Sequence, residues 1–210
     1  MPKKEAPLEY LQRFIPAGSA ELVLEYMHRY KVHLTISKER KSILGDYRHA
    51  FAEKNHRISV NGNLNKYAFL ITLIHELAHL IAFIQFGNRV PAHGKEWKFI
   101  YKSILENFIA LGIFPEDILR AFKKTIHNLP ASSCADDVLI RALKKYDNNT
   151  GGIMMVEQMA EGALFDGGGG RIFKKGRRLR KRFQCQELAT GKLYLFSPIY
   201  EVKPMDGSSE

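Results

Sequence analysis

The chain has 210 residues, 45% apolar and 11% aromatic, and its 32 Lys/Arg against 22 Asp/Glu leave a net charge of +10. These are the proportions of a soluble globular protein with one ordinary domain and a small appendage. Two distant cysteines, Cys134 and Cys185, exclude a disulfide scaffold, and the N-terminal MPKKEAPLEYLQRFIP lacks an apolar h-region and a cleavage-site pattern, so the expected location is the reducing cytoplasm.

In chain order, Leu8 to Ile15 reads as a short amphipathic segment stopped by Pro16. Ser19 is placed to cap a helix over 20–30 whose inner face is Leu22, Val23, Tyr26 and Met27. Val32, Leu34 and Ile36 then alternate with His33 and Thr35, the period of a half-buried strand. Gly45-Asp46 reads as a turn leading to a weaker strand over 47–52. A third strand over 57–61 points Ile58 and Val60 inward and ends at Asn61-Gly62-Asn63. Together these predict a small antiparallel sheet.

Tyr67 to Phe86, YAFLITLIHELAHLIAFIQF, is apolar at helical length and contains His75-Glu76-Leu77-Ala78-His79. Residues four apart on a helix lie about 40° apart around the axis, so His75 and His79 offer two imidazoles to one point. Glu76 can reach a water at that point without being a ligand, which is the H-E-x-x-H arrangement of zinc hydrolases. A catalytic zinc takes three protein ligands and keeps one position open. The competing reading is a core helix with two satisfied histidines. Against it, three ionisable groups inside an apolar helix are costly to bury unless paired or metal-bound. The stretch also has the length of a membrane span; no other segment can join it in a bundle, so no membrane partner is expected.

Gly87 is a good helix stop, and after the loop 88–92 His93-Gly94-Lys95-Glu96-Trp97 opens a helix running to about Leu111. His93 lies far enough beyond His79 for the chain to turn round and bring a third imidazole back, with Trp97 packing beside it. Glu116 and Asp117 are acidic alternatives, but they follow Pro115 at the head of a separate helix and suit its N-terminus. Helices are expected over 115–127 and 135–146, with Ser133 and Asp136 at capping-box spacing between them.

Beyond Asp147 the pattern changes, and the chain divides into 1–150 and a second part, 151–210, made of a linker and a basic β-rich module. A short helical piece is expected over 157–164, then a turn at Gly167–Gly170; these glycines lack the Gly-Lys-Ser/Thr ending of a phosphate loop. Strands follow over 171–174, 181–187, 192–196 and 199–202, with Phe173, Phe183, Tyr194, Phe196 and Tyr200 as core or as stacking platforms for unpaired bases. Residues 171–203 carry ten Lys/Arg against two Glu, eight of the ten net charges. Arg177, Arg178, Arg180, Lys181 and Arg182 crowd one hairpin. Such a patch attracts phosphate backbones, or it is a solvated face that aids solubility.

HELAHL, the later His93-Gly94-x-x-Trp97 and the preceding RISVNGNLN resemble the SprT-like metalloprotease domain over about residues 19–125. The resemblance implies an α+β, zincin-like fold: a small antiparallel sheet, a central HExxH helix, and a following helix carrying the third histidine. It implies a zinc-dependent peptidase acting on a protein substrate, with one Zn²⁺ per chain held by His75, His79 and His93 and with Glu76 as general base. The family includes Spartan-type proteases, which digest proteins crosslinked to DNA and are gated by DNA binding. From its charge, and with no recognition helix, the basic module is expected to contact a DNA backbone without reading sequence. Many relatives end in a zinc ribbon, whereas this chain has no C-x-x-C, and Cys185 stands alone where such a module would begin. A second zinc is therefore not expected. The rival reading is a nucleic-acid-binding or regulatory protein with a non-catalytic zinc site; Glu76 argues against it, because a structural site has no use for a base.

Overall fold

In the computed structural model, which describes residues 8–40, 42–51, 55–125, 137–147 and 151–205, the chain is α+β and divides into two units, Met1–Asp147 and Asn148–Glu210. The first unit runs α1 (Leu8–Gln12), α2 (Ala20–Arg29), β1 (Val32–Ser37), β2 (Gly45–Arg48), β3 (His56–Asn61), α3 (Lys66–Phe86), α4 (Lys95–Ala110), α5 (Glu116–Thr125) and α6 (Asp137–Lys144). The expected capping box at Ser133 and Asp136, and Cys134 between them, lie outside the described residues. Ser19 precedes α2 but does not cap it with its side chain. It is fully buried, and its hydroxyl donates to the Pro16 carbonyl at 2.6 Å instead.

The sheet order is β1-β3-β2. β2 runs antiparallel to β3, from Gly45 opposite Val60 to Arg48 opposite Arg57, but β1 runs parallel to β3. The sheet is mixed, which corrects the antiparallel expectation. Topology supplies the reason: the last strand takes the middle place, and the connection from Ser37 to Gly45 crosses over it. Two strand spacings are only about 10 Å, well within reach of that connection. Buried Asn61 secures it. Its Nδ2 donates to the carbonyls of Arg40 (3.1 Å) and Ile43 (2.9 Å), and its Oδ1 accepts from Arg40 Nε (2.8 Å) and Ser37 Oγ (3.1 Å).

α3 is the centre of the unit. Asn65 caps it, accepting from the backbone N–H groups of Tyr67 and Ala68, while its Nδ2 holds the Leu143 carbonyl (3.0 Å) and Asp147 Oδ1 (2.6 Å). Gly87 ends the helix with φ 60°, a backbone conformation glycine adopts without strain. Every residue from Phe69 to Ala78 is buried. By length and composition the helix could cross a membrane, but most of it is buried inside the fold. Val23, Tyr26 and Met27 of α2, Ile58 and Val60 of β3, and Tyr101, Ile104, Leu105 and Phe108 of α4 share its core.

The second unit is a six-stranded sheet made of β4 (Met154–Met155), β5 (Leu164–Asp166), β6 (Ile172–Leu179), β7 (Arg182–Glu187), β8 (Leu193–Phe196) and β9 (Glu201–Pro204), in the order β4-β9-β5-β6-β7-β8. The helical piece expected over 157–164 is only a 3-10 turn at Val156–Gln158. The chain after it is drawn into the sheet, with Gly162 and Ala163 exchanging backbone hydrogen bonds with Lys175. Phe165, Phe173 and Phe183 form the core, with Tyr194 and Phe196 packed against them. Tyr200 is not core: it is 44% exposed, and its hydroxyl donates to the Gly167 carbonyl.

Candidate metal centre

Helix geometry brings His75 and His79 onto one face of α3, and the turn before α4 returns His93 to them. Gly94 serves that turn as the backbone N-cap of α4, its N–H bonded to the Pro91 carbonyl at 3.0 Å. The three Nε2 atoms lie 3.0, 3.1 and 3.2 Å apart. Three imidazole lone pairs aimed at one point repel each other unless a cation or shared protons occupy it. Zinc–nitrogen bonds of about 2.0–2.1 Å in a tetrahedral site put the nitrogens about 3.3 Å apart, so the donor set fits such an ion. Trp97 forms the floor, its ring centroid 4.7, 5.3 and 4.8 Å from those of His75, His79 and His93, and it stacks on Tyr101. His75 Nδ1 and Trp97 Nε1 are buried without a hydrogen-bond partner.

Electrostatics favour the ligating form. Burial first, and the neighbouring imidazoles second, pull His75 down to about 3 and His79 down to about 4; His93 is lowered by burial and by Lys98. All three are neutral at pH 7, as metal ligation requires. Glu76 moves the other way. Burial, reinforced by Asp46 and opposed by Arg40, pushes its carboxyl up to about 8. A buried carboxyl with a raised affinity for protons, next in the chain to His75, marks a candidate site for proton chemistry.

β2 closes the other side of Glu76. A Cβ added at Gly45 would lie 2.7 Å from Glu76 Oε1 and 2.7 Å from Thr72 Cγ2. Gly45 is therefore not a turn residue, as the sequence pattern suggests, but a strand residue whose missing side chain lets the sheet approach the helix. Asp46 and Arg40, which act on Glu76, also go unsignalled in the sequence. The one local clue was a glycine beside a strand pattern, which marks close backbone approach as well as turns.

Glu116 and Asp117, the acidic alternatives, open α5. Asp117 is engaged by the Tyr146 hydroxyl at 2.8 Å, Lys145 at 3.1 Å and the Ile118 N–H at 3.0 Å. Arg177, Arg178, Arg180, Lys181 and Arg182 lie together, all exposed, where β6 turns into β7 in the second unit.

Comparison with known proteins agrees with the motif. The SprT-like family model matches residues 13–118, half of the chain. Proteins called "Protein SprT" are similar over a short stretch: that of Cronobacter sakazakii is 52% identical over 42 residues, 20% of this chain and 25% of the relative. Those of Serratia proteamaculans (59% over 32 residues, 15% of this chain and 18% of the relative) and Pseudomonas putida (49% over 35 residues, 17% and 21%) are similar. The matched stretch thus spans about a quarter or less of these relatives. No solved structure matches significantly.

Proposed function

The chain belongs to the SprT-like family, and from that membership and the three converging imidazoles we propose that it is a zinc-dependent metallopeptidase with a zincin-like catalytic unit. The carrying observation is the triangle of Nε2 atoms, with buried Glu76 next to His75 in the chain. His75, His79 and His93 would hold one Zn²⁺, which, when bound, supplies a Lewis acid and an acidified water. Glu76 takes the proton from the attacking water and delivers it to the departing amine of the cleaved peptide bond. Burial of Glu76 keeps bulk water away and raises its proton affinity in the metal-free protein; the charge of a bound Zn²⁺ would lower it again and leave the carboxylate free to accept that proton. The three imidazoles stay neutral throughout, and Trp97 packs against all three rings and limits their rotation.

The protein substrate is reached, in this reading, through the second unit, whose Arg177, Arg178, Arg180, Lys181 and Arg182 contact a nucleic-acid backbone without reading sequence. Action in the cytoplasm fits the buried free thiol of Cys185. The test combines metal analysis with cleavage of casein in the presence and absence of DNA. One zinc per chain and cleavage that Glu76→Gln abolishes while retaining the metal are expected. Cleavage surviving in that variant overturns the mechanism; zinc without any proteolysis, but with salt-sensitive DNA binding, favours a nucleic-acid-binding protein with a non-catalytic metal.

A further inference from the structure

Five of the second unit's cations, Arg177, Arg178, Arg180, Lys181 and Arg182, stand on a ribbon that leaves its sheet. β5 and the residues just before it bond to β6 as far as Lys175, and β8 pairs with β7 only as far as Phe183. Over residues 176–182 the β6–β7 hairpin has no strand paired to either edge among the described residues. At about 3.3 Å per residue this free part extends roughly 10 Å.

A bulge sets where its charges point. Lys175 pairs with Cys185 and Arg178 with Phe183, so three residues on β6 advance against two on β7. Gly176 permits this, since a Cβ there would lie 2.5 Å from the Gln184 carbonyl oxygen. In a regular ladder Arg177 would oppose Phe183 and Arg178 would take the other face. The extra residue puts Arg178 on the face of Phe183, its guanidinium 5.9 Å from that ring. Arg182, next to Phe183 in the strand, points to the opposite face, and Arg180 (φ 31°) and Lys181 make the turn. The ribbon thus carries cations on both faces and at its tip.

Among the described residues none of the five is in an ion pair, whereas Arg171 of the same module is held by Glu187 at 2.6 Å. Like charges crowded on one hairpin repel, and among the described residues no acidic side chain is paired with them. A binder of unpaired bases needs exposed aromatic platforms; the ribbon's aromatic, Phe183, is buried, and exposed Tyr200 is tied to Gly167 instead. A duplex groove, by contrast, offers phosphates on two walls, and the B-form major groove, about 12 Å wide and 8.5 Å deep, admits a two-stranded ribbon. The deep, narrow major groove of an RNA duplex does not.

We propose that the ribbon of residues 176–182 inserts into the major groove of duplex DNA, with Arg178 and Arg182 reaching the phosphates of opposite walls. This rests on the reading of the basic module as a nucleic-acid contact. The test is fluorescence anisotropy of the full chain with a two-turn DNA duplex, the matching RNA duplex and the single strand, across about 50 to 200 mM salt. The DNA duplex should bind tightest, with a log–log salt slope of about −4.5 for five phosphates neutralised. Arg178→Gln and Arg182→Gln should each reduce that slope by about 1. The variant with all five cations replaced by Gln, each of them exposed, should fold and lose the slope altogether. Equal binding of single strand and duplex, or an effect from only one of the two faces, overturns groove insertion while the module remains a backbone contact. A five-Gln variant that binds like the original overturns both, and neither result touches the peptidase reading, which casein cleavage decides.

Discussion

If the chain is the proposed peptidase, replacing Gly45 with alanine should disable catalysis while leaving His75, His79 and His93 in place. The new Cβ would meet Glu76 Oε1 at 2.7 Å, Glu76 Cγ at 2.9 Å and Thr72 Cγ2 at 2.7 Å. Carbon contacts prefer about 3.5–4.0 Å, so Glu76 must retreat by roughly 1 Å or the strand must lift. Gly45 has no positive φ, so alanine adds no backbone strain there and the effect is purely one of crowding. Overpacking of this kind costs about 1–3 kcal/mol of stability. A misplacement of about 1 Å in a catalytic group costs on the order of 100-fold in rate.

The assay is casein cleavage kinetics on metal-loaded protein, with metal content and chemical denaturation measured on the same samples. The expected result is a kcat about 100-fold lower, with metal content unchanged. Gly62→Ala is the control. Its Cβ would lie 2.8 Å from Ile36 Cγ2 and 3.3 Å from Phe14 Cε1, comparable crowding without Glu76 among the contacts. That variant should lose similar stability but keep its kcat per folded molecule. If Gly45→Ala retains full kcat, or loses no more than Gly62→Ala at equal destabilisation, the assigned role of the close approach is wrong.

Metal retention should be tolerant of acid: His75 and His79 are lowered to about 3 and 4 and His93 is lowered from its ordinary value, so a chelator titration whose loss is centred at the ordinary imidazole value of about 6.5 would contradict the burial argument. In metal-free protein, Glu76 is raised to about 8 when folded against about 4.5 when unfolded, so the folded state binds the proton more tightly and stability falls as pH rises between those values. Glu76→Gln should abolish that slope and be more stable at pH 8 by up to about 5 kcal/mol, read by urea denaturation after chelation. Asn61→Ala removes the bonds that hold Arg40 and Ile43, and should cost about 2–4 kcal/mol in the same measurement while lowering kcat, because the connection that delivers β2 to Glu76 loosens.

Some of this architecture was local enough to read directly. The i, i+4 spacing of His75 and His79 is a property of one helix, and α3 ends at Gly87, the stop its sequence signals; its cap, Asn65, emerged only in the structure. His93 needed a tertiary turn, yet its place just before α4, with Trp97 one turn on, made that turn a short one. The parallel pairing of β1 with β3 was hidden, because side-chain alternation is the same in parallel and antiparallel strands and only the path of the intervening chain distinguishes them. Ser19 looked like a cap because capping residues are recognised by type, whereas its hydroxyl was claimed by the Pro16 carbonyl three residues back.

Gly45 shows the same limit in its most consequential form. A glycine before an aspartate reads as a turn when only chain neighbours are considered. Its role depends on Thr72 and Glu76, residues on another element, and on the crossing that makes β2 an edge strand. The chemistry of Glu76 is therefore distributed: the helix supplies its direction, β2 its confinement, and Asp46 and Arg40 the opposing charges that act on its proton. A sequence motif picks out Glu76, but its raised proton affinity comes first from its burial and then from Asp46, 30 positions upstream, against the opposing pull of Arg40.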